Sequence, residues 1–206
     1  MSINSNVPKK FDAEQQAAIC AFKGAFRVDA CAGAGKTSTL VARIDYLRKQ
    51  GVPESDILAL TFTRIAAEEM RERAKAEKET LRTLHSWALA VVKEEVREFA
   101  PPLRPFPLLT SQFEVVIPLA KQFSVQYKDL TSYISNAKRM GKSPRQMLEE
   151  AEFEQSERMA RAYEHYEATC RRMGVLDFDS IIWELVKLFE RKPVVCARHQ
   201  IPYLMV

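Results

Sequence analysis

The stretch Ala30-Cys31-Ala32-Gly33-Ala34-Gly35-Lys36-Thr37 constrains this chain more than any other. It follows a short apolar run, AFRVD at 25–29, which reads as a buried strand. It opens a helix over about 37–50, where Leu40, Val41, Ile44 and Leu47 recur at helical spacing before Gly51. Small residues between a strand and a helix let backbone N–H groups close around a phosphate, and the helix N-terminus adds positive potential. Lys36 then reaches the β- and γ-phosphates, and the Thr37 hydroxyl holds Mg²⁺. The candidate phosphate-binding residues are Ala32, Gly33, Ala34, Gly35, Lys36, Thr37 and Ser38, with Lys36 and Thr37 as the catalytic pair. The first position of the general G-x-x-x-x-G-K-[ST] pattern is Ala30 here. Such a loop defines a ligand class and leaves the reaction open.

The segments that follow predict an α/β layout. Residues 57–62 (ILALTF) have strand length, Thr63 is placed to cap the helix RIAAEEMRERAKAEK, residues 81–85 (LRTLH) suggest a third strand, and Ser86 opens a helix running to about Phe99. Strands alternating with helices imply a parallel sheet with helices on both faces. Pro101, Pro102, Pro105 and Pro107 then make a stiff break. From about Thr110 to Lys192 the signals are helical, with one long run from Pro144 to Met173 ended by Gly174. A last helix over about Asp177 to Arg191 stops before Pro193. IPYLMV at 201–206 reads as a buried strand. The expected division is 1–88 as the first part of an α/β domain, 89–194 as a helical insertion and 195–206 as a returning strand. A chain that stops inside an apolar run reads as cut.

Of the 206 residues, 47% are hydrophobic, which is enough for a packed core. The net charge is +4, with 14 basic against 11 acidic residues in 1–88 and 16 against 16 in 89–194. Any nucleic-acid site must therefore come from local clustering. Asn136 to Arg145 holds Lys138, Arg139, Lys142 and Arg145 without an acid, the best basic patch in the chain. Cys20, Cys31, Cys170 and Cys196 have no C-x-x-C spacing, so zinc and dithiol chemistry are not expected. MSINSNVPKKFD lacks a signal-peptide apolar region and no apolar run reaches membrane length, so a cytoplasmic protein is expected.

Several segments carry a resemblance. The A-x-A-G-x-G-K-T form resembles motif I of UvrD/Rep/PcrA-like superfamily 1 DNA helicases. Phe11 to Ile19 (FDAEQQAAI) resembles the Q motif that precedes it. Thr61 to Met70 (TFTRIAAEEM) resembles motif Ia, with Arg64 and Ile65 where Asn and Lys are usual, and Thr83-Leu84-His85-Ser86 resembles T-F-H-S. Ile134-Ser135-Asn136-Ala137-Lys138 looks like a short motif of the inserted subdomain. Val175-Leu176-Asp177-Phe178-Asp179 resembles the segment before motif II, and there we read Asp177 as a helix cap rather than a metal ligand.

The resemblance implies a RecA-like P-loop NTPase subdomain interrupted by an all-helical one, with ATP and Mg²⁺ as ligands. Gln15 would read adenine, as an amide can, giving one donor and one acceptor. Phe62, Thr63, Arg64, His85, Lys138 and Arg139 would contact single-stranded DNA or its junction with duplex. In this family the strand resembling 201–206 runs into the acidic motif that binds Mg²⁺ and activates water, and a second RecA-like domain supplies further groups. The 206 residues alone are thus expected to lack hydrolysis. Alternatives are a stand-alone ATP- and DNA-binding module without catalysis, another small P-loop NTPase, and the N-terminal part of a helicase–nuclease of the RecB or AddA kind.

Overall fold

A computed structural model describes residues 11–95, 109 and 112–206. The chain divides into two compact units, one spanning Met1–Trp87 and Gln200–Val206, the other Ala88–His199. The proline-rich break at 101–107 and the tail of the helix expected to reach about Phe99 lie outside the described residues.

The first unit is built on a three-stranded parallel sheet. Its strands are β1 (Ile57–Thr61), β2 (Leu81–Thr83) and β3 (Tyr203–Met205), in the order β2-β1-β3. Ala59 pairs with Leu81 and Thr61 with Thr83, while Ile57 pairs with Tyr203 and Ala59 with Met205. The central strand, ILALT, is apolar from Ile57 to Leu60, the four of its residues that are buried. Against it pack α2 (Lys36–Lys49) and α3 (Arg64–Ala74), α1 (Ala13–Cys20) lies on α2, and β2 leads into α4 (Leu84–Glu94). Ile44 and Leu47 of α2 meet Ile57, Ala59, Ala67, Met70, Leu81 and Met205 in one core. Arg48, in the last turn of α2, donates to both carboxylate oxygens of Glu54 at 2.6 and 2.7 Å and to the Ala74 carbonyl at 2.6 Å. That hydrogen bonding holds the Glu54 carboxyl below its ordinary range.

Two expectations change here. Residues 25–29 form no strand, and Phe26 and Val28 are 59% and 58% exposed. A strand exists only where a neighbour takes up its backbone N–H and C=O groups, and no strand of the described sheet pairs with this segment. The returning strand expected over 195–206 is confined to Tyr203–Met205. Before it, Pro193 does not merely stop a helix. It occupies the first turn of a new one, α10 (Pro193–Arg198), where its missing N–H has no cost.

The second unit is helical: α5 (Phe113–Gln122), α6 (Tyr127–Arg139), α7 (Pro144–Glu149), α8 (Glu154–Met173), α9 (Phe178–Arg191) and α10. Val116, Leu119, Leu130, Ile134, Ala137, Tyr163 and Tyr166 share its core with Cys170, whose thiol burial pushes up to about 11. The run expected as one helix over Pro144 to Met173 is two. Ser143 and Gln146 form a capping box that starts α7, and the Ser156 hydroxyl accepts the N–H of the extended Phe153 to start α8. Glu95 near one end of the unit pairs with Arg198 at 2.6 Å and His199 at 2.8 Å near the other. Among the described residues no helix is long and apolar enough to cross a membrane.

Gly141 joins α6 to α7 with φ +67, and a Cβ there would lie 3.2 Å from the Trp183 ring. Gly141→Ala is expected to destabilise the second unit by about 1–3 kcal/mol, from left-handed backbone strain plus crowding. Urea unfolding followed by Trp183 fluorescence measures it, and an unchanged midpoint would remove the packing role assigned to this turn.

Candidate nucleotide-binding site

Of the loop residues, Gly33 and Gly35 take the left-handed conformation, with φ 81 and 77, while Ala30, Cys31, Ala32 and Ala34 do not. The alanine at the first position of the pattern therefore costs no strain. The Ala34 N–H donates to the Cys31 carbonyl at 3.3 Å, closing the turn. Gly35 then caps α2, so the free N–H groups of its first turn open beside the loop. The loop is exposed from Cys31 to Ala34. Lys36 Nζ folds back over it and donates to the carbonyls of Ala30 and Cys31, both at 2.8 Å. Thr37 and Ser38 follow on the first turn of α2, with Thr37 half-buried and Ser38 exposed, and the Thr39 hydroxyl is tied to the Gly35 carbonyl at 3.1 Å. Amides at a helix N-terminus beside an exposed cation make a chemically suitable cradle for a polyphosphate.

Gln15 lies against this loop. Its Nε2 donates to the Ala34 carbonyl at 3.0 Å and its Oε1 accepts the Asp12 N–H at 3.1 Å. Asp12 Oδ1 in turn accepts the Gln15 N–H at 2.8 Å, which completes a capping box for α1. The sequence carries the local signal for this, an Asp followed three residues later by Gln. It carries no signal for the far end of α1. There Arg43 Nη1 of α2 donates to the Ala18 and Ile19 carbonyls at 3.0 and 3.1 Å. Burial lowers the Arg43 guanidinium below its ordinary value, but that value is so high that it remains a cation.

The segments resembling DNA-contacting motifs leave one edge of the sheet. Because Thr61 pairs in parallel with Thr83, Phe62 to Arg64 and Leu84 to His85 emerge side by side. Phe62 is 95% exposed and Ile65 is 79% exposed. Thr63 caps α3 by accepting the Ala66 N–H, Arg64 begins that helix in solvent, and His85 is half-buried on α4.

The basic patch over 136–145 needs correcting. Lys138 is not a solvent-facing phosphate contact: its side chain is 1% exposed. Its Nζ donates to Asp177 Oδ2 and Ser180 Oγ, each at 2.6 Å, lies 2.7 Å from Glu167 Oε1 without hydrogen-bond alignment, and sits 4.9 Å from the Tyr166 ring centre. Lys142 pairs with Glu150 and Arg145 with Glu149. Arg139 is exposed and bonds to Asn136 Oδ1 at 2.5 Å and the Ser135 carbonyl. A ten-residue window holds no acid, yet folding brings four carboxylates to it. Asp177 does cap α9, accepting the Ser180 N–H at 2.6 Å, and also accepts the Tyr166 hydroxyl at 2.6 Å. Asp179 accepts the Ser135 hydroxyl at 2.6 Å. Asp177 is thus the helix cap expected from the sequence.

Two findings from comparison bear on this geometry. The ATP-dependent DNA helicases PcrA of Staphylococcus aureus strain Mu50 and of Staphylococcus epidermidis strain RP62A are 32% and 31% identical to this chain, over 91% and 93% of it. The chain spans 27% and 28% of their lengths. The profile of one family, described as the UvrD/REP helicase N-terminal domain, matches residues 11–206, from the buried Phe11 before α1 through β3. This chain, with its loop-bearing α/β unit and its helical unit, belongs to the UvrD/REP helicase N-terminal domain family.

Proposed function

We propose that this chain is the ATP-binding N-terminal portion of an ATP-dependent DNA helicase that moves along single-stranded DNA, 3′ to 5′, in repair, replication or recombination. On this reading the first unit is a RecA-like subdomain and the second its helical insertion. The protein works in the cytoplasm, on single strands and their junctions with duplex, together with a second RecA-like domain. The observation that carries the reading is the hydrogen bond from Gln15 to Ala34. It joins the segment resembling an adenine-reading motif to the loop resembling a phosphate-binding one.

The residues fit the ligands. Lys36 moves from the loop carbonyls onto the β- and γ-phosphates, the amides of 32–38 surround them, and the Thr37 hydroxyl holds Mg²⁺. Gln15 retains one amide N–H and one oxygen lone pair for the adenine edge. Mg²⁺ neutralises charge on the phosphates when bound. Phe62 offers a bare ring for base stacking, Arg64 and Arg139 offer exposed cations for phosphates, and His85 lies on the same edge as Phe62.

Hydrolysis requires carboxylates for Mg²⁺ and for the attacking water, which the family supplies after the strand resembling 201–206. The 206 residues are therefore expected to bind Mg²⁺·ATP weakly at best and to give no turnover, with or without single-stranded DNA. A steady-state phosphate-release assay tests this. DNA-stimulated turnover would mean that a carboxylate within these residues completes the site, and the division of labour proposed here would be wrong.

A further inference from the structure

Helix α1 has only two turns, too short to hold its shape in water on packing-free terms. Its N-terminus is secured by Asp12. Its C-terminus has none of the usual devices: the capping residue, Ala21, is not left-handed (φ −59, ψ 118), and the last turn carries no basic side chain of its own. The carbonyls of Ala18 and Ile19 are met instead by Arg43, reaching across from α2.

Arg43 stands seven residues after Lys36, two turns along the same face of α2 and about 10 Å along its axis. Gln15 stands three and four residues before Ala18 and Ile19, one turn back on α1. The two helices are thus clasped at two levels. Gln15 meets the Ala34 carbonyl just before α2, and Arg43 meets the end of α1. The apolar contact between them, buried Ile19 with Phe11 and Tyr46, is small and non-directional. Cys20 and Ala42 pack against it and add to the area that holds the helices together. The hydrogen bonds add direction, because they tolerate only a few tenths of an ångström. The loop side is equally close-fitted: a Cβ on Gly35 would lie 3.2 Å from Gln15 Nε2.

We propose that Arg43 is a positioning residue for base recognition, holding α1 in the rotation that presents the Gln15 carboxamide to the phosphate loop and to the nucleotide base. Arg43 touches neither phosphate nor base. It acts through Gln15, and the proposal rests on the reading of Gln15 as the base-reading group.

The test is a double-mutant cycle on the 206-residue chain, measuring affinity for Mg²⁺·ATP, Mg²⁺·GTP and inorganic tripolyphosphate. Arg43→Met keeps the stem's length and removes the donors. It is expected to reduce the preference for ATP over GTP, and for ATP over tripolyphosphate, by about tenfold, the worth of one or two net hydrogen bonds. In a Gln15→Ala background the same change is expected to cost nothing more in either ratio. Ratios within twofold of the original in Arg43→Met would overturn the proposal. So would losses that multiply independently in the double variant, or equal losses for all three ligands. If Gln15→Ala itself keeps the preference for ATP, the base-reading role of Gln15 fails first, whatever Arg43 does. Should Arg43→Met fail to fold, Arg43→Gln, whose amide ends two bonds short of the Nη1 that meets both carbonyls, serves in the same cycle against the same outcomes.

Discussion

Replacing Lys138 with methionine is expected to destabilise the second unit by about 3–5 kcal/mol, a large part of the roughly 5–15 kcal/mol that holds a domain folded. Methionine fits the volume, so the loss is electrostatic. The ammonium is surrounded by Asp177, Glu167 and Ser180, and without it the buried Asp177 and the half-buried Glu167 lose their cation. Burial alone would push the Asp177 carboxyl up and the Lys138 ammonium down, but Lys138, Tyr166 and the Ser180 N–H outweigh it at Asp177, and Glu167 together with Asp177 outweighs it at Lys138. Asp177 is held below its ordinary value and Lys138 above its own.

The pH dependence follows from these directions. The depressed carboxyl stabilises above about pH 4 and loses its contribution as pH falls through its lowered value. The raised ammonium stabilises below about pH 10 and loses its contribution as pH rises through its raised value. Lys138→Met should flatten both flanks of the stability profile. Urea unfolding monitored at Trp183 across pH measures this. A loss below 1 kcal/mol, or unchanged flanks, would remove the role given to the cluster. Arg145→Ala is the contrast: its pair with Glu149 is solvent-exposed, so the change should stay within about 0.5 kcal/mol. A phosphate-binding Lys138 would behave the other way, altering the salt dependence of DNA binding and leaving stability alone.

Lys36→Ala is expected to weaken Mg²⁺·ATP binding about a hundredfold while leaving the unfolding midpoint nearly unchanged. Each charge-assisted hydrogen bond from the ammonium to a phosphate is worth about 1.5–3 kcal/mol, and two of them near the lower figure amount to about 3 kcal/mol, or two decades of affinity. The partners of Lys36 in the free protein are two loop carbonyls in an exposed setting. These return to water when the side chain is removed, at little cost to the fold. Equilibrium titration with ATP, beside a thermal melt, separates the two quantities. Unchanged affinity would mean that the loop is not the phosphate site. A falling midpoint would mean that the ammonium chiefly holds the loop's shape.

What could be read from the residue string is what depends on neighbours along the chain. The loop is legible because a phosphate cradle is made by eight consecutive residues, and its two left-handed positions are glycines. The caps at Asp12, Thr63 and Asp177 are legible because a capping side chain reaches an N–H three residues on. β1 declares itself by an unbroken apolar run, and α9 by its period. Tertiary structure alone decided the rest. AFRVD has a strand's composition, but a strand is completed by a partner, and none of the described strands pairs with it. Lys138 looked like a surface cation because the window around it holds no acid, yet Asp177 comes to it from 39 residues away and Glu167 from α8. Nothing in the residue string sets Arg43 apart on α2, and it is a clasp only because the end of α1, some 25 residues earlier, lies across it. Charge and hydrogen bonding act through space, so their partners are known only once the path of the chain is known.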